Sequence, residues 1–360
     1  MGLNKYKLRI IHALPQTFHK DFHNALANLS SYALTPKPRH VHFEVTYRCS
    51  CKCIFCSRWS IGPQRASEEL TTEEIFTFFK KAVNLGVVAV SFSGGEPFLR
   101  KDIFKIAAFC KELGLLLHVN SNGTLIDERN YQRINDLFDS ILISVDSHIP
   151  ETHNHLRGIP GTFQKATRAL QLLDRSKTMA QMVVNAENIN HLFEYVSFMS
   201  SLTDKIRLQP LHQNPENLLI LSDDKIGRLH DVKANWESFV KKLEVSGLKI
   251  YGSKYFYDLI PQFLSDPSRL YGKIDCFMGS HAFYLDPYGN IVPCEGIRKP
   301  FGNIRQTDLS EIWKNANAFR KLYNKIKKRP CACLYTCLEG DILFWKRFFS
   351  FGNEKMYFPP

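Results

Sequence analysis

From about residue 40 the chain repeats one unit, a short apolar run followed by a helix-periodic stretch. Residues 41–45 alternate apolar and polar as a half-buried strand does. Residues 72–85 carry helical periodicity, and Thr71 with Glu74 is spaced for a capping box. Further strands are expected at 87–92, 115–119, 141–145, 181–184 and 206–209, with helices at 101–113, 128–138, 162–173, 189–199 and 222–246. That makes six strand–helix units spaced about thirty residues apart, the length of a βαβ crossover. Such alternation dictates a parallel sheet, open or curled into a barrel. It also places functional residues just after strands, at their C-terminal ends.

Composition narrows the function. With 44% hydrophobic residues the chain has enough apolar material for a sizeable core. Lys and Arg outnumber Asp and Glu by 47 to 35, a net charge of +12, which favours anionic partners. The basic residues are scattered, and no aromatic-interleaved motif argues for nucleic acid. The apolar stretch from Ile10 to Leu14 is short and broken by His12, so neither a secretory signal nor a spanning segment is read. The expected location is cytoplasmic. In a reducing compartment the ten cysteines are metal ligands rather than a disulfide framework. Four lie between Cys49 and Cys56 and five between Cys276 and Cys337, while Cys110, alone in a helical pattern, reads as a packed core thiol.

The first cluster, Cys49-Ser50-Cys51-Lys52-Cys53-Ile54-Phe55-Cys56, follows the first strand directly. Thiolates at this density hold an iron–sulfur cluster or a structural zinc, and spacing alone does not separate the two. The other strand ends are also polar. Ser93-Gly94-Gly95-Glu96-Pro97 follows the second strand, with glycines that let backbone approach a ligand and a carboxylate that can accept from an ammonium. Ser121-Asn122-Gly123-Thr124 follows the third. The fourth closes with Ser144 and Asp146 on one face, and Arg157 follows, suited to pair with a carboxylate or simply to lie in solvent. Asn185 and Asn188 follow the fifth, the latter also placed to cap a helix.

Cys49, Cys53 and Cys56 form C-x3-C-x2-C with Phe55 before the last cysteine, and with Gly94-Gly95-Glu96 this resembles the radical SAM superfamily over residues 41–210. The resemblance implies a [4Fe–4S] cluster on those three cysteines, its fourth iron left for S-adenosylmethionine (SAM). It implies that Gly94, Gly95 and Glu96 meet the SAM amino group. It also implies that Phe55, Ser121, Asn122, Ser144, Asp146, Arg157 and Asn188 surround the cofactor. Cys51 departs from the pattern and is read as a non-ligand, with exchange against a neighbouring ligand left open. The implied fold is a partial (β/α)6 TIM-like barrel.

The C-terminal cysteines resemble a SPASM or twitch extension. Cys276-x12-Gly289-x4-Cys294 encloses a hairpin signal around Pro287-Tyr288-Gly289-Asn290, and a helix is expected at 309–326 before Cys331, Cys333 and Cys337. Five cysteines rather than the full pattern of seven imply one auxiliary [4Fe–4S] cluster, held by Cys276, Cys294, Cys337 and either Cys331 or Cys333; structural zinc is the competing occupant. The chain thus divides into an N-terminal extension (1–38), a barrel (39–215), a helical connector (216–274) and a small cysteine-rich α+β domain (275–360). The resemblance implies an enzyme that cleaves SAM to a 5′-deoxyadenosyl radical and is supplied with electrons by a flavodoxin- or ferredoxin-like donor. The favoured substrate is a peptide or protein, with a small sugar, alcohol or lipid as the alternative. A non-catalytic zinc or iron–sulfur module is the reading from another class. The aromatic, basic stretch at 344–349 packs over the cluster domain or meets a membrane surface.

Overall fold

The computed structural model describes residues 37–212, 231–270, 279, 281–295, 298–314, 333–334 and 357–358. Six strands run parallel in chain order: β1 (His40–Thr46), β2 (Ala89–Gly94), β3 (Leu116–Ser121), β4 (Ser140–Ser144), β5 (Thr178–Val184) and β6 (Lys205–Pro210). Helices cover one face of this sheet. A short turn, α1 (Arg58–Ile61), precedes α2 (Thr72–Leu85), α3 (Ile103–Glu112), α4 (Tyr131–Leu137), α5 (Pro150–Arg157), α6 (Thr162–Leu172) and α7 (Leu192–Ser200). Then come α8 (Val232–Ser246), β7 (Ile250–Tyr251), α9 (Lys254–Ser265), β8 (Ala282–Leu285), β9 (Asn290–Val292), β10 (Gly302–Asn303), α10 (Leu309–Lys314) and β11 (Tyr357–Phe358).

The hairpin β8–β9 does not stand apart. β8 pairs parallel with β1, His40 opposite Ala282 and Phe43 opposite Leu285, so the sheet order is β10-β9-β8-β1-β2-β3-β4-β5-β6. Among the described residues β10 and β6 do not pair with each other, which leaves the barrel partial and open on one side.

Alternation along β1 separates the faces. Val41, Phe43 and Val45 are fully buried beneath the helices, where Phe43 meets Phe79 edge-on at 5.7 Å and Phe92 at 6.1 Å. His40, His42 and Glu44 point the other way, in register with Ala89, Ser91 and Ser93 of β2. Helix α2 begins with the expected capping box, Thr71 and Glu74 each accepting from the other's backbone N–H. Cys110 is a fully buried core thiol on α3.

The expected 189–199 helix is a 3₁₀ turn at Ile189–His191 leading into α7. The expected 222–246 and 309–326 helices are seen only over α8 and α10, the remainder lying outside the described residues. Helices α5 and α9 were not anticipated: α5 is mostly polar, and α9 carries Pro261 in its interior while still burying Phe256, Tyr257, Ile260 and Phe263. No helix among the described residues is long and apolar enough to cross a membrane.

Candidate functional site

The cysteine loop leaves β1 and is held on three sides by the ends of later strands and helices. Gly95 N–H donates to the Thr46 carbonyl at 2.7 Å and Glu96 N–H to that of Arg48 at 2.9 Å, tying the loop to the turn after β2. Lys52 N–H and Ile54 N–H donate to the carbonyls of Arg157 and Leu156 at 2.9 and 3.1 Å, tying it to the end of α5. On the third side the turn after β3 grips Ser50, whose hydroxyl lies 2.7 Å from Thr124 Oγ1 and accepts from Asn122 Nδ2 at 3.0 Å.

The glycines of the β2 turn also have a reason within the chain itself. A Cβ on Gly95 would lie 2.2 Å from the Arg48 carbonyl oxygen, and one on Gly94 2.3 Å from that of Thr46. They make room for the chain's own cysteine loop.

One pocket gathers most of the expected residues. Cys49, Cys53, Cys56 and Phe55 line it from the loop, Gly94 and Gly95 from β2, Ser121 and Asn122 from β3, and Ser144 and Arg157 from the far side. Cys51, Arg58, Trp59, Ser93 and Asn120 also line it and were not on the expected list. Ser93 opens the Gly-Gly motif, and Asn120 precedes Asn122 by the strand period of two, signals that were available. Asn122 Nδ2 stands 3.7 Å from Cys49 Sγ and Arg157 Nη1 3.7 Å from Cys53 Sγ.

A hydrogen bond from Cys51, more than any other influence, lowers the thiol pKa values of Cys49 and Cys53; Arg157 adds to this. Cys51 pays the converse cost, its own ionisation suppressed first by its bond to Cys49. Burial raises the Cys56 thiol, with Arg58 opposing.

Three expected residues do not line the pocket. Glu96 is fully buried, and its carboxylate accepts from Ser121 Oγ at 2.9 Å, Asn122 N–H at 2.8 Å and Phe98 N–H at 3.2 Å. These bonds shape the β3 turn and leave the carboxylate, with its four acceptor positions, room for one further donor. Asp146 is also fully buried, paired with Arg157 at 2.7 Å and accepting from Val183 N–H at 2.9 Å. Asn188 bridges the Asp146 and Val183 carbonyls at 3.0 and 2.9 Å. These two orient Arg157, which does face the pocket.

Burial pushes the Glu96 carboxyl up from 4.5 to about 7, against its three donors. The folded state therefore holds this proton more tightly than the unfolded chain, so the stability it lends is full below about pH 4.5 and is lost as pH rises through 7. Glu96→Gln is expected to remove about 3 kcal/mol of that pH-dependent loss. Urea midpoints of the variant and the wild type across this window check it, and an unchanged slope in the variant refutes it.

Below the pocket the inner face of the sheet is lined with uncharged rings. His40 stacks on His42 at 4.4 Å, and His42 on Tyr284 of β8 at 4.6 Å. Burial lowers the His40, His42 and His118 pKa values, so these imidazoles are neutral near pH 7. His42 lies beside Ser91, one rung beneath the Glu44–Ser93 pair at the pocket's edge.

Of the C-terminal cysteines, Cys294 and Cys333 are described, both partly exposed, while Cys276, Cys331 and Cys337 lie outside the described residues. The hairpin before Cys294 turns as expected, with Gly289 at φ 88° and Asp286 accepting from the N–H groups of Tyr288 and Asn290 at 2.9 Å each. Next to Cys333, Leu334 N–H donates to His212 Nε2 at 2.8 Å, fixing this segment to the end of β6.

The first pocket's donors are soft thiols with no carboxylate on its described wall, which suits an iron–sulfur cluster. Thiols on one wall, with hydrogen-bonding groups and the Arg157 guanidinium on the other, suit an α/β iron–sulfur enzyme that seats a polar organic cofactor beside the cluster.

The comparisons specify the family. Residues 43–199 match the Radical SAM superfamily, and residues 276–338 match the SPASM iron–sulfur cluster-binding domain. The chain belongs to the radical SAM superfamily, in its SPASM-bearing branch, and its cofactors are SAM and [4Fe–4S] clusters. It is 27% identical to the AdoMet-dependent heme synthase of Methanosarcina barkeri (strain Fusaro / DSM 804), over 84% of this chain and 90% of the relative. It is 26% identical to the PqqA peptide cyclase of Rhizobium meliloti (strain 1021), over 83% of each. The fold is similar to that of Streptococcus suis SuiB bound to S-adenosylmethionine, with a TM-score of 0.65 at 16% identity, over 89% of this chain and 77% of that one.

Proposed function

We propose that this radical SAM enzyme modifies a peptide or protein, and that Cys49, Cys53 and Cys56 hold the cluster at which SAM binds. When bound, the reduced cluster and SAM supply a 5′-deoxyadenosyl radical able to take hydrogen from an unactivated carbon. The chain's own residues contribute position and environment. Asn122 and Arg157, each 3.7 Å from a cysteine sulfur, orient and stabilise the thiolates. Ser93, Ser121 and Ser144 give the SAM side neutral hydrogen-bonding groups, and Phe55 and Trp59 exclude water from it. In the C-terminal domain Cys276, Cys294, Cys337 and one of Cys331 and Cys333 hold the auxiliary cluster.

The observation that carries the peptide reading is the partial barrel, whose edge strands β6 and β10 do not pair with each other among the described residues, an architecture that suits an extended substrate. The likeness to a peptide cyclase supports it. A second reading, a planar small molecule, is favoured by the heme synthase relative and by the stacked His40–His42–Tyr284 wall. We take the electrons to come from a flavodoxin- or ferredoxin-like donor and the enzyme to be cytoplasmic, a reading that cysteines grouped for cluster binding support.

Anaerobically reconstituted protein with dithionite and SAM is the test. With a short peptide encoded beside its gene, the expected result is a mass change in that peptide and faster release of 5′-deoxyadenosine. No change in the peptide, together with turnover of an iron porphyrin precursor, would reverse the order of the two readings.

A further inference from the structure

A buried four-charge box joins the two cysteine-bearing segments. Glu44, on the inner face of β1, receives Arg58 at 2.6 Å on one carboxylate oxygen and Arg298 at 2.5 Å on the other. Glu295 closes the figure, receiving Arg58 at 2.5 Å and Arg298 at 3.1 Å. Tyr47 donates to Glu44 at 2.9 Å and accepts from Arg298. The side chains are 1% (Glu44), 8% (Glu295), 14% (Arg58) and 15% (Arg298) exposed, so water screens the box little.

Its placement relates it to both cysteine segments. Arg58 follows Cys56 by two residues and lines the same pocket, while Glu295 follows Cys294 directly. The box spans 254 residues of sequence between Glu44 and Arg298 and balances to zero charge. The Arg58–Glu295, Arg298–Glu44 and Arg298–Tyr47 contacts bind the chain just after Cys294 to the floor of the first cysteine loop.

We propose that Glu44, Arg58, Glu295 and Arg298 are shared positioning residues for the two cysteine centres, fixing the Cys294 segment against the Cys49–Cys56 loop and setting a common local field at both. The proposal rests on reading those cysteines as cluster ligands. A neutral box in a poorly screened site makes a signed prediction, since one lost charge leaves the opposite charge uncompensated beside both centres. A residual positive charge favours the reduced cluster, and a residual negative charge disfavours it.

The test is an anaerobic redox titration of the reconstituted enzyme, followed by electron paramagnetic resonance. Glu295→Gln is expected to raise the midpoint potential of both cluster signals and Arg298→Gln to lower both, with the double variant returning them towards wild type. Arg298→Lys, which keeps the charge, should leave the potentials in place even if the thermal midpoint falls. Shifts of the same sign in the two single variants, movement of only one signal, or no shift at full iron content would each overturn the proposal. Failure of the ligand reading shows separately: Cys294→Ser would then retain both signals and all its iron.

Discussion

Cys53→Ser is expected to eliminate 5′-deoxyadenosine formation and to lower iron content by one cluster, while the far-ultraviolet circular dichroism stays that of the wild type. Cys53 is the thiol most closely attended by groups that favour its anion. Arg157 Nη1 stands 3.7 Å from its sulfur, and Arg157 is itself fixed by Asp146 at 2.7 Å. A serine hydroxyl has neither the acidity nor the softness that iron in a sulfide cluster requires. Cys51→Ser is the informative companion. It stands outside the C-x3-C-x2-C spacing, so on the proposed ligand set this variant should keep its iron and most of its SAM cleavage. Iron analysis and chromatography of the reaction products decide both. A Cys51→Ser variant that loses a cluster while Cys53→Ser keeps it would exchange the two assignments.

How much of this was legible in the sequence depends on the range of the interactions involved. The six parallel strands follow from local periodicity, because each strand is apolar over a few residues and each helix repeats over one face; α2 and its capping box coincide with the expected element at Thr72–Leu85. The cysteine loop and the Gly-Gly turn were legible because their residues are contiguous. The role of Glu96 was not. Only the fold shows that its carboxylate meets Ser121 and Asn122, about 25 residues away, and so ties the β2 turn to the β3 turn. The ion box was invisible for the same reason, since nothing near Arg298 in sequence hints at Glu44. Joining of the hairpin to β1 was equally hidden: β8 looks like the start of a separate domain, yet it pairs with the first strand across more than two hundred residues.

Gly158→Ala is expected to destabilise the enzyme by roughly 3 kcal/mol and to reduce iron incorporation at the first cluster. The residue ends α5 in the left-handed region, φ 68°, where a side chain alone costs roughly 1–2 kcal/mol. It also lies against the cysteine loop, and a Cβ there would fall 2.2 Å from the Lys52 carbonyl oxygen and 2.8 Å from its carbon. Backbone cannot yield cheaply at that distance. The loop itself must move, and Lys52 sits between Cys51 and Cys53 in a segment pinned to Arg157 by a 2.9 Å hydrogen bond. Gly161 supplies the control. It has nearly the same conformation, φ 75°, but nothing within 4 Å of its built Cβ. Gly161→Ala should therefore show the conformational cost alone, with iron content unchanged. Denaturant midpoints and iron per chain, measured on both variants, separate the two contributions. Equal destabilisation with full iron in both would mean that the approach of α5 to the loop is not what holds the thiols in place.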